Sequence, residues 1–171
     1  MKNLILLLAF LSVTAINAQA FKGKDDNKFQ VGANFQENGS GINVSYDYGI
    51  GENISIGIST TYLLGVADGL KNNQIEELDA TFDNRFDVRA RFNANLGNVI
   101  KIDENFDLYP GLSLGLKNFG GHLGARYFFT DGFGVYTELN VPFAKYKTGS
   151  LTAAETLHNQ FTINLGASFN L

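Results

Sequence analysis

The chain has 171 residues, with 13 Lys and Arg against 17 Asp and Glu, which gives a formal net charge of -4. This length fits one domain, and 19 Gly, 15 Phe, 7 Tyr and only 2 Pro favour strands joined by tight turns. The sequence contains no run of Lys and Arg, which excludes the clustered positive charge of a nucleic-acid-binding surface. The chain has no Cys, which excludes disulfides and thiolate chemistry.

The N-terminus has the three parts of an export signal. Met1-Lys2 supplies a positive start, Leu4–Leu11 an apolar stretch, and Ala18–Ala20 the small-residue cleavage pattern. The apolar stretch is too short to span a membrane comfortably as a helix. The pattern therefore predicts a cleaved signal peptide at 1–20 and one domain at 21–171. No later apolar run reaches about 20 residues, so membrane residence would require strands.

Beyond the signal, apolar side chains recur at every second residue in eight segments, which is the period of a β-strand. In the first segment Phe29, Val31 and Phe35 alternate with Gln30 and Asn34. Several segments run to roughly ten residues, the length that a tilted membrane strand needs. The alternating segments are 29–35, 42–48, 54–62, 86–96, 106–116, 123–129, 133–143 and 161–171.

The two faces of these segments differ sharply in polarity. No charged side chain falls on the apolar register, and the other register is almost entirely polar or glycine. A water-soluble barrel would place the apolar register inside, but the export signal, the aromatics near many segment ends and the final strand ending at Leu171 favour a membrane barrel. The prediction is an all-β fold, a closed up-and-down antiparallel transmembrane β-barrel of about eight strands.

The connections alternate in length. The short links are 49–53, 97–105 and 130–132, and the alternate set is 37–41, 64–84, 117–121 and 144–159, of which two are long. With the N-terminus in the periplasm, the long links face the cell exterior. Pro110 cannot donate a ladder hydrogen bond and predicts a bulge or a strand end. Thr152 and Glu155 have capping-box spacing, which predicts one helical turn.

The signal, the alternating segments and the closing strand 161–171 together resemble the small OmpA/OmpX-like outer-membrane β-barrel proteins of Gram-negative bacteria. The resemblance is one of pattern and covers essentially the whole mature chain. It implies a porin-like barrel of the cell envelope that the barrel assembly machinery inserts and that contacts outer-membrane lipid and lipopolysaccharide. It transfers no catalytic residue, because such barrels serve as anchors, adhesins, narrow pores or, rarely, enzymes.

Charged residues on the inward register predict an ion-pair network in the lumen. An eight-stranded interior is just wide enough for side chains to fill, and buried charges must pair or hydrate. We expect the arginines of the fourth strand to meet acids of the fifth and seventh, which would plug the barrel; a gated ion path is the alternative. The predicted network is Arg85, Asp87, Arg89, Arg91, Asp107, Arg126 and Glu138.

The long link after the third strand is acidic. We expect these acids to be solvated, as charges of exposed loops usually are, or to hold a cation or surface contact that bridges to lipopolysaccharide phosphates. The spacing is not that of an EF-hand. The residues are Asp68, Glu76, Glu77, Asp79 and Asp83.

No catalytic residue, cofactor or metal site is predicted. His122 and His158, the only histidines, have no neighbour at a metal-ligand spacing. We expect His122 to make a hydrogen bond in the lumen. An acyl-transfer pair of His122 with Ser113 is the least favoured interpretation, because serines are abundant on the inward register.

These observations predict a non-enzymatic outer-membrane protein with a structural or surface-interaction role, carried by the exterior loops 64–84 and 144–159 and an unknown surface partner. One alternative is a narrow channel for ions or small solutes. Another is a soluble periplasmic, lipocalin-like barrel that binds an apolar ligand with its faces reversed.

Overall fold

The computed structural model describes residues 19–71 and 79–171. Their strands form one closed barrel in which each strand pairs antiparallel with its neighbours in the chain and β8 closes on β1. The strands are β1 (Asn27–Gln36), β2 (Gly39–Gly49), β3 (Ile54–Val66), β4 (Phe86–Ala94), β5 (Phe106–Gly115), β6 (Asn118–Phe128), β7 (Phe133–Lys145) and β8 (Thr162–Asn170). The predicted closed, up-and-down, eight-stranded barrel is confirmed.

The connections add four short helices. Two are α-helices, α1 (Gly97–Ile100) and α2 (Ala153–His158), and two are 3-10 helices, Asp68–Leu70 and Asp83–Arg85. Among the described residues, no helix is long and apolar enough to cross a membrane.

Several strands run further than the sequence pattern indicates. β3 continues to Val66 and β7 to Lys145, while β6 begins at Asn118 instead of 123. Gly120 and Gly121 lie inside the ladder between β6 and β7, where the absence of a side chain hides the alternation. The first three links of the alternate set therefore shrink to 37–38, 67–85 and 116–117, while the fourth keeps its length and lies at 146–161.

Pro110 lies within β5 and stays paired with Leu123 of β6. The prediction of a bulge or strand end is wrong for β5 itself. The ladder between β4 and β5 instead stops at the pair Asn93–Gly111, next to the proline. Because proline has no N–H to donate, its effect is limited to this one ladder.

The barrel wall is apolar outside and polar inside. Ile56, Leu114 and Leu165 point outward and are 45%, 58% and 56% exposed, whereas the inward Asn93 and Asp107 are completely buried. A water-soluble domain has the opposite distribution, with its charged side chains on the surface. The distribution seen in this barrel therefore does not support the alternative of a soluble barrel with an apolar interior.

The two ends of the barrel differ. The long-loop end carries the links 67–85 and 146–161, and the short-turn end carries the chain from residue 19 to β1 and the turns between β2 and β3, β4 and β5, and β6 and β7. Buried apolar side chains concentrate at these ends. At the long-loop end they are Leu63, Val66, Ala80, Ala153 and Leu157, and at the short-turn end they are Ala20, Phe21 and Phe128.

Candidate functional site

Arg91 of β4 crosses the middle of the lumen. Its Nη2 donates to Oε2 of Glu138 on β7 at 2.6 Å, and its Nε lies 3.0 Å from Oδ1 of Asp47 on β2, without hydrogen-bond geometry. All three side chains are buried. One cation therefore joins carboxylates from two other strands, and buried charges are tolerated when they are paired in this way.

A second ion pair lies between the middle of the lumen and the short-turn end. Arg126 and Asp107 face each other across the ladder of β5 and β6, and Arg126 Nη2 donates to Asp107 Oδ2 at 2.7 Å. Asp107 Oδ1 also accepts the backbone N–H of Gly97 at 2.8 Å. The guanidinium carbon of Arg126 lies 4.7 Å from the centre of the Tyr109 ring, a cation–π distance.

A third pair lies towards the long-loop end. Arg89 Nε donates to Asp87 Oδ2 at 2.6 Å, within the same strand. Arg89 Nη2 also reaches the backbone carbonyl of His158 in α2, at 3.1 Å. This arginine therefore joins the charged lumen to the structure that covers it.

Neutral polar side chains fill the layers between the ion pairs. Asn34 Nδ2 donates to Asn164 Oδ1 at 2.7 Å, and Asn93 Nδ2 donates to Ser55 Oγ at 3.0 Å. His122 Nε2 lies 2.7 Å from Asn93 Oδ1, a hydrogen bond of the kind predicted for this histidine. Paired amides and hydroxyls make a polar interior tolerable, because a buried polar group costs little when it is hydrogen-bonded.

The long-loop end is covered by what we call the lid, residues 79–85 and 146–161. Within it Leu157 is completely buried in the apolar cluster. The lid is tied to the barrel rim by Gln36 Nε2, which donates to the Leu157 carbonyl at 2.7 Å, and by Asn118 Nδ2, which donates to the His158 carbonyl at 2.8 Å. His158 Nε2 lies 2.9 Å from the Asn84 carbonyl, which joins the two parts of the lid.

The helix of the lid begins with a capping box. The Thr152 hydroxyl accepts the N–H of Glu155, and the Glu155 carboxylate accepts the N–H of Thr152 at 2.8 Å. The predicted helical turn is confirmed. The backbone hydrogen bond from Thr152 lowers the pKa of Glu155, and burial lowers the pKa of His158.

At the short-turn end the side chain of Phe21, which we call the plug, is buried at the mouth of the lumen. The ring is 2% exposed and lies between two cations, with Lys28 Nζ 5.8 Å and the Arg126 guanidinium carbon 5.9 Å from its centre. Lys28 also pairs with Asp26 and lies 5.5 Å from the centre of the Phe128 ring. Cations over aromatic faces attract the ring quadrupole, most strongly where water is excluded.

The structure brings six of the seven residues predicted for the lumen network into the lumen. The exception is Arg85, which ends the 3-10 helix before β4 and donates to the Ala80 carbonyl at 2.8 Å. Its placement in the lumen is a wrong prediction, because β4 begins only at Phe86. Asp107 pairs with Arg126 rather than with an arginine of β4.

Sequence reasoning missed three charged residues of the interior. Asp47 and Lys28 occupy the inward register of β2 and β1, so alternation identifies their side, but their partners depend on distances across the barrel. Asp26 precedes β1 and lies outside any alternating segment.

The acidic loop is only partly described. Asp68 pairs with Lys71 at 2.9 Å, and this hydrogen bond lowers the pKa of Asp68. Glu76 and Glu77 lie outside the described residues. Asp83 begins the second 3-10 helix, and Asp79 lies shortly before it. Within 19–71 and 79–171, no three His, Cys, Asp or Glu side chains come close enough to hold a metal ion. Cation binding by this loop stays a prediction.

A small polar cavity lies between the lid and the charged middle of the lumen. Its volume is about 10 Å³, room for about one water molecule. Two of its lining atoms, Asn34 Oδ1 and Asn140 Nδ2, have no protein hydrogen-bond partner within the described part of the chain. The lining includes Asn34, Asn43, Arg89, Asn140, His158 and Asn164. This site is suited to hydration, and the polar groups that line it are amides, hydroxyls, one guanidinium and one imidazole.

A family model matches residues 10–171, almost the whole chain. The chain belongs to a family of unknown function, DUF6646. A comparison of this DUF6646 chain with curated protein sequences finds no match.

Solved structures share the fold of this DUF6646 chain. A chain described as "De novo design of transmembrane beta-barrels" has a TM-score of 0.56 at 8% identity, over 88% of this chain and 98% of that one. The N-terminal β-barrel domain of Pseudomonas aeruginosa OprF has a TM-score of 0.55 at 11% identity, over 88% of this chain and 100% of that one. At such identities the likeness concerns the fold alone, that of membrane β-barrels.

Proposed function

We propose that this DUF6646 chain is a non-enzymatic outer-membrane protein, closed by its own side chains, that acts as a structural or surface-interaction protein through its long-loop end. The observation that carries the proposal is the bridge from Arg91 to Asp47 and Glu138, with a cover at each end of the lumen. An eight-stranded barrel has just enough interior for such side chains to fill.

Export and orientation are part of the same proposal. The signal pattern at 1–20 supports passage out of the cytoplasm, and the long-loop end faces the cell exterior, as outer-membrane barrels prefer. The barrel assembly machinery inserts the chain, and outer-membrane lipid and lipopolysaccharide surround it. The kinship with OmpA/OmpX-like proteins of Gram-negative cells rests on the pattern of the eight alternating segments.

A surface role is supported by aromatic residues on the long-loop end. Phe82 is 70% and Tyr146 is 55% exposed, and the Phe82 ring packs on Tyr62 with their centres 5.1 Å apart. Exposed aromatic residues are enriched in protein interfaces, where they supply large contact area at low entropic cost. The partner is a surface molecule that these rings and the acidic residues nearby would contact.

A narrow cation path is the second candidate. The lumen and its short-turn mouth hold one more acid than base, and an excess of carboxylates favours cations. The acids are Asp26, Asp47, Asp87, Asp107 and Glu138, and the bases are Lys28, Arg89, Arg91 and Arg126.

Membrane fractionation tests the location. The protein is expressed with its leader, the outer membrane is separated and extracted with detergent, and unheated and boiled samples are compared on a gel. We expect an outer-membrane fraction with a boiling-dependent mobility shift. A freely soluble periplasmic protein would contradict the proposal.

Conductance in planar bilayers separates the closed barrel from the channel. We expect little conductance from the native protein and more from Glu138→Gln, because the substitution removes one of the two charges that hold Arg91 across the lumen. Glu52→Gln, on the exposed turn between β2 and β3, removes the same charge outside the lumen and should leave conductance unchanged. High cation conductance of the native protein would favour the second candidate.

A further inference from the structure

The turn between β4 and β5 carries an exposed apolar surface at the short-turn end. We call Val99, Ile100 and Ile102 the α1 patch; they are 58%, 40% and 73% exposed. Ile50, 45% exposed, lies on the neighbouring turn, which is joined to this one where Asn95 N–H donates to the Asn53 carbonyl at 2.8 Å. Apolar residues gathered on a turn that is otherwise polar mark an interaction surface.

Within the patch, Ile100 faces away from the barrel axis. Asn98 Nδ2 donates to the carbonyl of Phe21, the plug residue, at 3.1 Å, so this side of α1 faces the mouth of the lumen. A residue two positions further along a helix points in nearly the opposite direction, at about 100° per residue, which directs Ile100 outward. Leu96 N–H donates to the Leu108 carbonyl at 2.8 Å and attaches α1 directly to the wall. Ile100 therefore continues the apolar outer face, and the exposed Ile102 follows it on the same turn.

An aromatic girdle surrounds this end of the barrel except at β3. Neighbouring rings are in contact, as at Phe133–Phe169 with centres 5.7 Å apart. Of the eight described strands, β3 is the one without an aromatic residue near this end, where its Ile54 faces Ala94 of β4 across the ladder. The aromatic residues at or near the same end of the other strands are Phe29, Tyr48, Phe92, Phe106, Tyr127, Phe133 and Phe169.

We propose that the α1 patch is an interfacial anchor that inserts into the boundary between phospholipid headgroups and acyl chains of the leaflet at the short-turn end. Aromatic girdles hold a barrel at this boundary, and a short helix with an apolar face can do the same. The patch follows β4 and lies beside the start of β3, the one described strand without a girdle residue, so it completes the ring of contacts with lipid. This inference rests on the proposed residence in a membrane.

The chain contains no Trp, so one introduced tryptophan reports its own environment. Ile102→Trp in the full chain, exported and purified from membranes, is reconstituted in phosphatidylcholine vesicles whose acyl chains are brominated either near the headgroup or near the middle of the bilayer. We expect blue-shifted emission that loses most of its intensity with bromine near the headgroup and less with bromine at the middle.

Two control positions separate failure of the anchor from failure of the proposed function. Phe92→Trp lies on the outer wall, and Gly149→Trp lies on the long-loop end where an added side chain meets open space. Quenching at 92 together with water-like, unquenched emission at 102 would overturn the anchor and leave the patch to a soluble partner. The absence of quenching at both 92 and 102 would overturn membrane residence.

A second variant tests whether the native patch, rather than the new indole, causes insertion. The same tryptophan is placed in a background with Val99→Ser and Ile100→Ser. We expect headgroup-level quenching to fall towards that of Gly149→Trp. Unchanged quenching would overturn the assignment of the anchor to the patch, because tryptophan alone would then account for it.

Discussion

The two ends of the barrel, which we propose are both closed, are held by different physical means. The lid has a small apolar core around Leu157 and its own capped helix, whereas the plug is one ring, Phe21, between Lys28 and Arg126. Because Arg126 also pairs with Asp107 in the wall, a change at Arg126 should affect the plug and the barrel together. We expect the lid, by contrast, to open as a local unit, since regions of a protein unfold with different free energies.

The largest effect is expected where the plug and the barrel share a residue. Arg126→Met removes the charge that pairs with Asp107, which then keeps only the Gly97 N–H as a partner. Leaving one buried charge of a pair uncompensated costs about 3–5 kcal/mol. We expect the free energy of unfolding to fall by this amount in a reversible urea titration of the protein in lipid.

A double variant provides the control for this prediction. Arg126→Met with Asp107→Asn has no uncompensated charge, and Asn can still accept the Gly97 N–H. Replacing both members of a buried pair is often close to neutral, so most of the stability should return. A double variant as unstable as Arg126→Met alone would mean that the contact of Arg126 with the Phe21 ring is the larger contribution.

A smaller and more local effect is expected at the lid. Leu157→Ala leaves a cavity in the apolar cluster and should lower the free energy of opening the lid by about 2–3 kcal/mol, within the range for buried leucines. Hydrogen exchange of the amides of α2 measures this opening. The barrel strands should keep their protection, and Leu64→Ala, at a 61% exposed position beside the cluster, should change little. Equal loss of protection in all the strands would contradict the independence of the lid.

The helix cap should contribute less again. Thr152→Ala removes the hydroxyl that accepts the Glu155 N–H and should lower the stability of α2 by about 1 kcal/mol, the usual effect of losing an N-cap. The same exchange measurement detects it. Thr148→Ala, on the exposed part of the lid, serves as the control, and equal effects from the two substitutions would exclude a specific role for the cap.

The barrel wall could be predicted from the sequence because its period of two is visible in every strand. Thr152 and Glu155 likewise predicted the helix of the lid, because a capping box is a local signal. The start of β6 could not be predicted, since Gly120 and Gly121 carry no side chain to show which face they occupy.

The lumen could be predicted only in part. Alternation identifies which residues point inward, but the shear of the barrel decides which ones meet across it, so the contact of Asp47 with Arg91 could not be foreseen. Arg85 was misplaced because the 3-10 helix before β4 replaces the first residue of the predicted strand. Phe21 lies outside every alternating segment and gave no signal as a plug.

The pH dependence of the lid should be its most subtle property. Burial lowers the pKa of His158, Asp87 opposes this shift, and Arg89 and Lys117 reinforce it. In the open lid the pKa of His158 returns to about 6.5, so the histidine binds more protons there than in the closed lid. Closure is therefore fully stable above about pH 6.5 and weakens as the pH falls below it.

Hydrogen exchange between about pH 5 and 8, corrected for the intrinsic rate at each pH, measures this effect around the pKa of a free histidine. We expect protection of α2 to fall on acidification in the native protein and to become independent of pH in His158→Gln, which does not titrate. The pKa of Glu155 is also lowered. Its titration affects lid stability only below this window, as the pH falls through the ordinary pKa of a glutamate, about 4.3. The same pH dependence in both proteins would show that His158 does not control the lid, and the lid and the plug would then differ in packing alone.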